Sequence, residues 1–252
     1  MTWDIYFTGL HVPEPIEHNN VDMRIHHTET IKITYVPSEN FHQVNTYLQK
    51  EPIIIFLSKN SVNGFHYGLE TQGITLDNYS VDFMAVGEET SEAVEEKFLQ
   101  PAQIPEIQNA FGLIQALQSI QKKPVMLITA EETRPELPNW LDEEGWDYCH
   151  LAVYSTTLKQ NHHLQKIFKN TQNEIIIFTS PSTVLGFLKS INAANFKSIN
   201  SRLVSIGSTT TRSIEEQFGS VFLESSRPKL ATLTKELVAE LLTNPIPQGI
   251  TG

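Results

Sequence analysis

The chain repeats itself at long range. Ile53–Phe65 reads IIIFLSKNSVNGF, and Ile175–Phe187, 122 residues later, reads IIIFTSPSTVLGF, with eight of thirteen positions identical. Val86–Phe98 (VGEETSEAVEEKF) and Ile206–Phe218 (IGSTTTRSIEEQF) match in the same order at an offset of 120. Two ordered matches mean two copies of one unit, and a period this long is a whole domain rather than a solenoid turn. The 252 residues accommodate two domains, each of about 100–130 residues. Two like domains on one chain create a cleft, a favoured place for ligands.

Each copy reads as strand, turn, helix, strand, turn, helix. Ile53–Phe56 is a continuous apolar run, the pattern of a strand buried on both faces. Val62, Phe65 and Leu69 follow at helical spacing, Met84–Val86 is a second strand, and Gly87 opens a turn with Thr90 where the next helix begins. The second copy repeats this with Ile175–Phe178, Leu203–Ile206, Gly207 and Thr210. Further strands are expected at Asp4–Thr8, Thr30–Val36, Val125–Thr129 and His150–Thr157, with a helix near Leu137–Glu144 ended by Gly145. Alternating strands and helices predict parallel sheets covered on both faces.

The copies do not lie simply end to end. The second begins near Gln160 without a preceding strand of its own, and can borrow Asp4–Thr8. The fold class expected is therefore α/β: two similar doubly wound parallel-sheet domains joined by a two-stranded linker, one domain discontinuous. The boundaries expected are 1–34 plus 158–252 for the discontinuous domain and 37–153 for the inserted one. The crossing strands lie near 35–36 and 154–157, a plausible hinge.

Charge and cysteine usage narrow the function. The net charge of −11 argues against a nucleic-acid binder, which needs a basic face. No apolar run reaches the about 20 residues of a membrane helix, and MTWDIYFTGL lacks a basic, apolar leader. The single cysteine, Cys149, forms no intrachain disulfide and reads as a small buried residue in a reducing compartment, so a cytoplasmic location is expected. No long exposed apolar segment suggests an obligate dimer, and a monomer is expected.

The chemistry is sought in the turns, because doubly wound sheets bind ligands beyond the carboxyl ends of their strands. Those turns carry Ser58, Lys59 and Asn60; Gly87, Glu88, Glu89 and Thr90; Ser180, Pro181 and Ser182; and Gly207, Ser208, Thr209 and Thr210. Each set sits at a predicted helix N-terminus, where free N–H groups and hydroxyls suit a carboxylate. Each also fits an ordinary helix cap, the commoner role of such residues. His26-His27 and His162-His163 are adjacent pairs without metal-ligand spacing and read as surface or loop residues. Glu131-Glu132 reads as a solvated turn. No dinucleotide, P-loop or nucleophile-elbow motif is present. The residues thus offer no obvious nucleophile, metal site or dinucleotide site, and an enzyme built from them acts mainly by holding its substrate in shape.

These motifs resemble the uroporphyrinogen-III synthase family. IIIFTSPSTVLGFL and VSIGSTTTRSIEEQFG are similar to its second-half motifs, AVGEETSEAV to its first-half motif, and LAVYSTT to the strand returning from the inserted domain. The resemblance covers roughly Pro52 to Leu242. It implies two doubly wound domains joined by a two-stranded linker, and a cofactor-independent cyclisation of hydroxymethylbilane, a linear tetrapyrrole polycarboxylate. Water is lost, ring D is inverted through a spiro intermediate, and uroporphyrinogen III is formed. The upstream deaminase is implied as a transient partner. Residue by residue, Ser58 and Thr90 match cleft positions of the first domain, and Asn60 and Gly87 of the same turns are expected to bind substrate with them. Ser180, Ser182, Thr209 and Thr210 match those of the second, Pro181 and Gly207 of the same turns are expected to bind substrate with them, and Thr8, also expected to bind substrate, falls at the end of the first strand. Tyr154 matches the tyrosine proposed to contact the departing hydroxyl; packing at the hinge is its other reading. A phenol with an ordinary pKa of about 10 is protonated at neutral pH and can donate a proton.

The chain departs from the family at three places. Thr8-Gly9-Leu10 stands for Thr-Arg-Pro, and Pro13 and Pro15 predict a shortened or lost first helix. Lys59 replaces the first-half proline, and Glu131-Glu132 stand where Arg-Gly is common. These departures keep a second expectation open: a non-catalytic two-domain module that binds a tetrapyrrole.

Overall fold

The computed structural model describes residues 2–13, 21–36, 39–164, 174–191 and 202–243. In chain order these form β1 (Thr2–Phe7), β2 (Asp22–His27), β3 (Ile31–Tyr35), a 3-10 turn (Glu39–Gln43), α1 (Val44–Leu48), β4 (Ile53–Phe56), α2 (Lys59–Gln72), β5 (Asp82–Ala85), α3 (Glu88–Phe98), α4 (Ala110–Gln118), β6 (Val125–Ala130), α5 (Glu136–Glu143) and β7 (Tyr148–Leu158). They continue with β8 (Glu174–Phe178), α6 (Pro181–Ser190), β9 (Arg202–Ser205), α7 (Ser208–Phe218), β10 (Leu223–Glu224) and α8 (Leu230–Thr243). The fold is α/β with two sheets dominated by parallel pairing. The chain divides into two compact units, Met1–Lys32 with Thr157–Gly252, and Ile33–Thr156.

In the Ile33–Thr156 unit the strand order is β3-β7-β6-β4-β5, and β7, β6, β4 and β5 pair in parallel. All four residues of β4 are buried because both faces of the strand are covered. Ile54 and Phe56 pack with Val62, Phe65 and Leu69 of α2 and Ala93 and Val94 of α3. Ile53 and Ile55 pack on the other face with Leu113 and Leu117 of α4 and Leu137 and Leu141 of α5. Cys149 is buried in the first of these cores, where burial and then Asp147 push its thiol up to about 11.

In the other unit the order is β10-β9-β8-β1-β2, with every adjacent pair parallel. Ile175 and Ile177 of β8 pack with Trp3, Ile5 and Phe7 and with Leu233, Leu237 and Leu241 of α8, while Ile176 and Phe178 face Val184 and Phe187 of α6 and Ile214 of α7. Matching β4 to β8 and β5 to β9 leaves β6 and β7 equivalent to β1 and β2. The two copies are therefore permuted: the strand pair that follows the repeat in one precedes it in the other.

The repeated glycine of the VNGF and VLGF motifs has the same task in both units. A Cβ on Gly64 would lie 2.8 Å from the Val153 carbonyl oxygen, and one on Gly186 would lie 2.0 Å from that of Thr30. Each glycine lets its helix approach the neighbouring backbone more closely than any other residue allows.

Residues 22–27, for which the sequence suggested no element, form β2. This strand lies at a sheet edge, is half-buried at best and is largely polar, so it lacks the apolar signature used to find the others. His26 belongs to it rather than to a loop, with Nε2 2.8 Å from Asp4 Oδ1 and its ring stacked on Tyr6 at 4.6 Å. The shortened first helix falls largely on residues 14–20, and the tail on 244–252, both outside the described residues.

Candidate active site

In the Ile33–Thr156 unit the strand order reverses beside β4: α2 leads to β5 on one side, and the chain later returns to β6 on the other. Ligands of such sheets bind at that crevice, beyond the carboxyl ends. Ser58 stands there as the N-cap of α2. Its Oγ accepts the Ser61 N–H at 3.0 Å, while the Ser58 N–H donates to Ser61 Oγ at 3.1 Å. This reciprocal box fixes the serine. Asn60, half-buried, occupies the second helical position, ahead of the intrahelical hydrogen-bond ladder.

Tyr154 reaches Ser58 because β7 is irregular. The β6–β7 register shifts between Thr129 and Ala130, so that Thr129 faces Ala152 and Ala130 faces Tyr154. Regular alternation would send Tyr154 to the face opposite Leu151 and Val153. The extra residue turns it onto the same face, against the core that includes α2. Its hydroxyl then lies 3.0 Å from Ser58 Oγ. The backbone stays satisfied, since Val153 accepts from Val36 N–H at 3.0 Å and Tyr154 from Glu131 N–H at 2.8 Å. Burial pushes the Tyr154 phenol above its ordinary value, Tyr35 adds to the rise, and the Ser58 hydrogen bond opposes it. The phenol is thus protonated at neutral pH. Tyr35, whose ring lies 6.1 Å from that of Tyr67, is a neighbour the sequence did not single out.

The second turn of this unit is closed. Gly87 caps α3, but the Glu88 N–H donates to Gln108 Oε1 at 3.2 Å, and a Cβ on Gly87 would lie 2.7 Å from that oxygen. Glu88 and Glu89 occupy the first turn of α3 and are exposed, whereas Thr90 is buried. An amide oxygen thus takes the place a ligand carboxylate would use. Gln108 lies outside both repeats, so the repeated motifs do not reveal it. Glu131 and Glu132 are exposed at the end of β6.

The other unit repeats the first turn without the tyrosine. Ser180 caps α6 with the same box, Thr183 N–H to Ser180 Oγ at 3.3 Å and Ser180 N–H to Thr183 Oγ1 at 3.2 Å. Pro181 occupies the first helical position, where its missing N–H costs nothing, and Ser182 the second. Thr8, fully buried, donates its hydroxyl to Ile177 O at 2.7 Å, so it holds the end of β1 to β8. Gly9 follows from packing: a Cβ there would lie 2.3 Å from Thr179 Oγ1. A larger residue in this corner would require Thr179 to shift.

The last turn is open. A Cβ on Gly207 would meet only Pro228, at 3.8 Å. Ser208 and Thr209 are exposed on the first turn of α7, which carries no acidic residue, and Thr210 is buried. The loop bearing Pro228 is pinned by Glu236, which accepts from Ser225 Oγ and Ser226 N–H, each at 3.1 Å. Arg227 on that loop is exposed and pairs with no carboxylate among the described residues. It too was missed, although the Arg-Pro-Lys run is a visible signal. No group of histidine, cysteine or acidic residues with metal-binding geometry occurs among the described residues.

A family model described as uroporphyrinogen-III synthase HemD matches residues 25–235. The chain belongs to the uroporphyrinogen-III synthase family. The match includes all four turns and Tyr154 and begins after β1, so Thr8 lies outside it. Among solved structures, the chain is similar to uroporphyrinogen-III synthetase from Helicobacter pylori, with TM-score 0.61 and 21% identity over 94% of this chain and 99% of that one. It is also similar to a mutant uroporphyrinogen III synthase from the extremely thermophilic bacterium Thermus thermophilus, with TM-score 0.64 and 14% identity over 96% and 99%. At such identities these likenesses establish the fold. No protein with a curated description matches the chain.

Proposed function

We propose that the protein is a uroporphyrinogen-III synthase that converts hydroxymethylbilane into uroporphyrinogen III, without a cofactor, by loss of water, inversion of ring D and ring closure. Family membership carries the reaction class, a cyclising lyase of tetrapyrrole biosynthesis. The observation that ties it to this chain is the protonated, largely buried Tyr154 phenol held 3.0 Å from Ser58 at the switch point of its sheet. Tyr154 is the acid toward the departing hydroxyl. Asn60, Ser180, Pro181, Ser182, Gly207, Thr209 and Thr210 lie on the turns that hold the bilane; Ser58 caps the first of these turns beside Tyr154, Thr8 braces the second unit's strands, and Gly87 and Thr90 shape the start of α3. Backbone N–H groups and hydroxyls bind carboxylates without net positive charge, which reconciles an acidic protein with a polyanionic substrate.

The same reading makes the Ile33–Thr156 unit an inserted domain, joined to the discontinuous one through β3 and the end of β7. Hydrogen bonds support an antiparallel ladder there: Val36 N–H to Val153 O at 3.0 Å and Lys159 N–H to Thr30 O at 2.8 Å. The upstream deaminase is its transient partner, and the protein acts as a monomer in the cytoplasm. No described helix is long and apolar enough to cross a membrane.

The test generates hydroxymethylbilane in place from porphobilinogen with the deaminase, then separates the oxidised products. A shift from the type I to the type III isomer is the expected result. Type I alone, from folded protein, would support a tetrapyrrole-binding module instead, a reading favoured by the closed, acidic Gly87 turn.

A further inference from the structure

The two capping serines are equivalent in sequence and in helix geometry, yet only one meets a tyrosine. Ser58 and Ser180 each close a capping box. At Ser180 the segment between β2 and β3 supplies Thr30, whose hydroxyl lies 3.0 Å from Thr183 O and 3.1 Å from Thr8 O and so turns to backbone carbonyls. At Ser58 the neighbouring strand is bulged and delivers the Tyr154 hydroxyl to 3.0 Å. A serine hydroxyl has one proton to donate and two lone pairs. One lone pair of Ser58 Oγ is taken by the Ser61 N–H. The phenol competes for what remains, so the direction of the Ser58–Tyr154 hydrogen bond decides whether the phenol proton is free.

We infer that Ser58 is a positioning residue for Tyr154, donating its Oγ–H to the phenol oxygen so that the phenol proton points to the substrate. The inference rests on the reading of Tyr154 as the acid. In the reaction the Tyr154 Oη–H bond breaks and its proton joins the hydroxyl as the substrate's carbon–oxygen bond breaks, releasing water. Tyr154 is left as a phenolate, which the Ser58 hydroxyl and the positive end of α2 stabilise. When the closing pyrrole regains its aromaticity it loses a proton, and that proton returns to Tyr154. Protons balance, and no other reagent is required. Ser58 thus acts through another side chain, whereas Ser180 stays free to touch the substrate.

The test is a double-mutant cycle on isomer III formation, with Ser58→Ala, Tyr154→Phe and the pair. Ser58→Ala is expected to lower kcat about 10- to 100-fold, the worth of a hydrogen bond to a charged group, with KM little changed. In the Tyr154→Phe background it should cost nothing further, because the two act as one unit. Ser58→Thr should restore activity. Ser58→Asp keeps the helix cap but cannot donate, so it should fold and remain impaired, which separates a lost cap from a lost donor. Losses that multiply across the cycle, or a raised KM with kcat kept, would make Ser58 a substrate contact and overturn the inference while Tyr154 keeps its role. A fully active Tyr154→Phe would overturn the acid assignment, and this inference with it.

Discussion

At Leu99 the backbone takes φ +55 with the side chain 87% exposed, whereas the corresponding Gly219 of the second copy takes φ +85. Both close a helix in the left-handed conformation, which costs a residue with a Cβ about 1–2 kcal/mol. Leu99 recovers none of this through packing. Leu99→Gly is expected to raise stability by up to about 1 kcal/mol, part of the relief being offset by glycine's greater freedom in the unfolded chain. The urea midpoint measures it, and an unchanged or lower midpoint would count against the strain. His150 bears on pH instead. Burial depresses its pKa below the ordinary 6.5, and its Nε2 lies 2.7 Å from Thr129 Oγ1. The folded state therefore binds fewer protons than the unfolded state as this residue titrates. Its contribution to stability is full above pH about 6.5 and is lost as pH falls through the lower folded value. His150→Gln should flatten the thermal stability profile on the acid side; an identical slope in both proteins would remove His150 as the cause.

Among the elements, what the sequence disclosed depended on whether one chain segment carried the whole signal. The capping turns did: Ser58 and Ser180 sit at predicted helix starts and cap them. The apolar runs of β4 and β8 did as well, being buried from end to end. The edge strand β2 did not, since half its surface faces water and its composition is polar. Nor did the bulge that brings Tyr154 to Ser58, because a register shift belongs to two strands and is visible in neither alone. Gln108 closing the Gly87 turn is likewise a contact across 20 residues of loop and helix. The repeated glycine is the element-level feature with the sharpest consequence. Gly186→Ala would place a methyl group 2.0 Å from a backbone oxygen, which only a shift of α6 can relieve. Overpacking of this kind costs about 1–3 kcal/mol. The denaturation midpoint should fall accordingly, whereas Gly73→Ala, with nothing within 4 Å but φ +65, should lose only the smaller strain of a left-handed alanine. Equal losses would mean that close approach is not what the repeat preserves.

For the molecule as a whole, the sign of the charge was readable, but where that charge lies was not. The net charge is −11. Its distribution over the four turns is uneven: Glu88 and Glu89 occupy one, Ser208 and Thr209 another, with Arg227 on the loop beside the latter. A polycarboxylate approaching such a protein meets repulsion at long range and donors only at contact. Salt separates the two, because screening acts over about 30 Å at 0.01 M and about 10 Å at 0.1 M, while contacts in a partly dehydrated turn are screened much less. Raising ionic strength from about 0.01 M to about 0.15 M is therefore expected to increase kcat/KM by reducing KM, with kcat little affected. Neutralising the acidic turn with the Glu88→Gln/Glu89→Gln pair should raise kcat/KM most at low salt and diminish the salt response. Arg227→Gln should raise KM, since it removes a cation beside the open turn. If kcat/KM instead falls steadily with salt, the cations beside the open turn outweigh the net charge, and the substrate is drawn in rather than repelled.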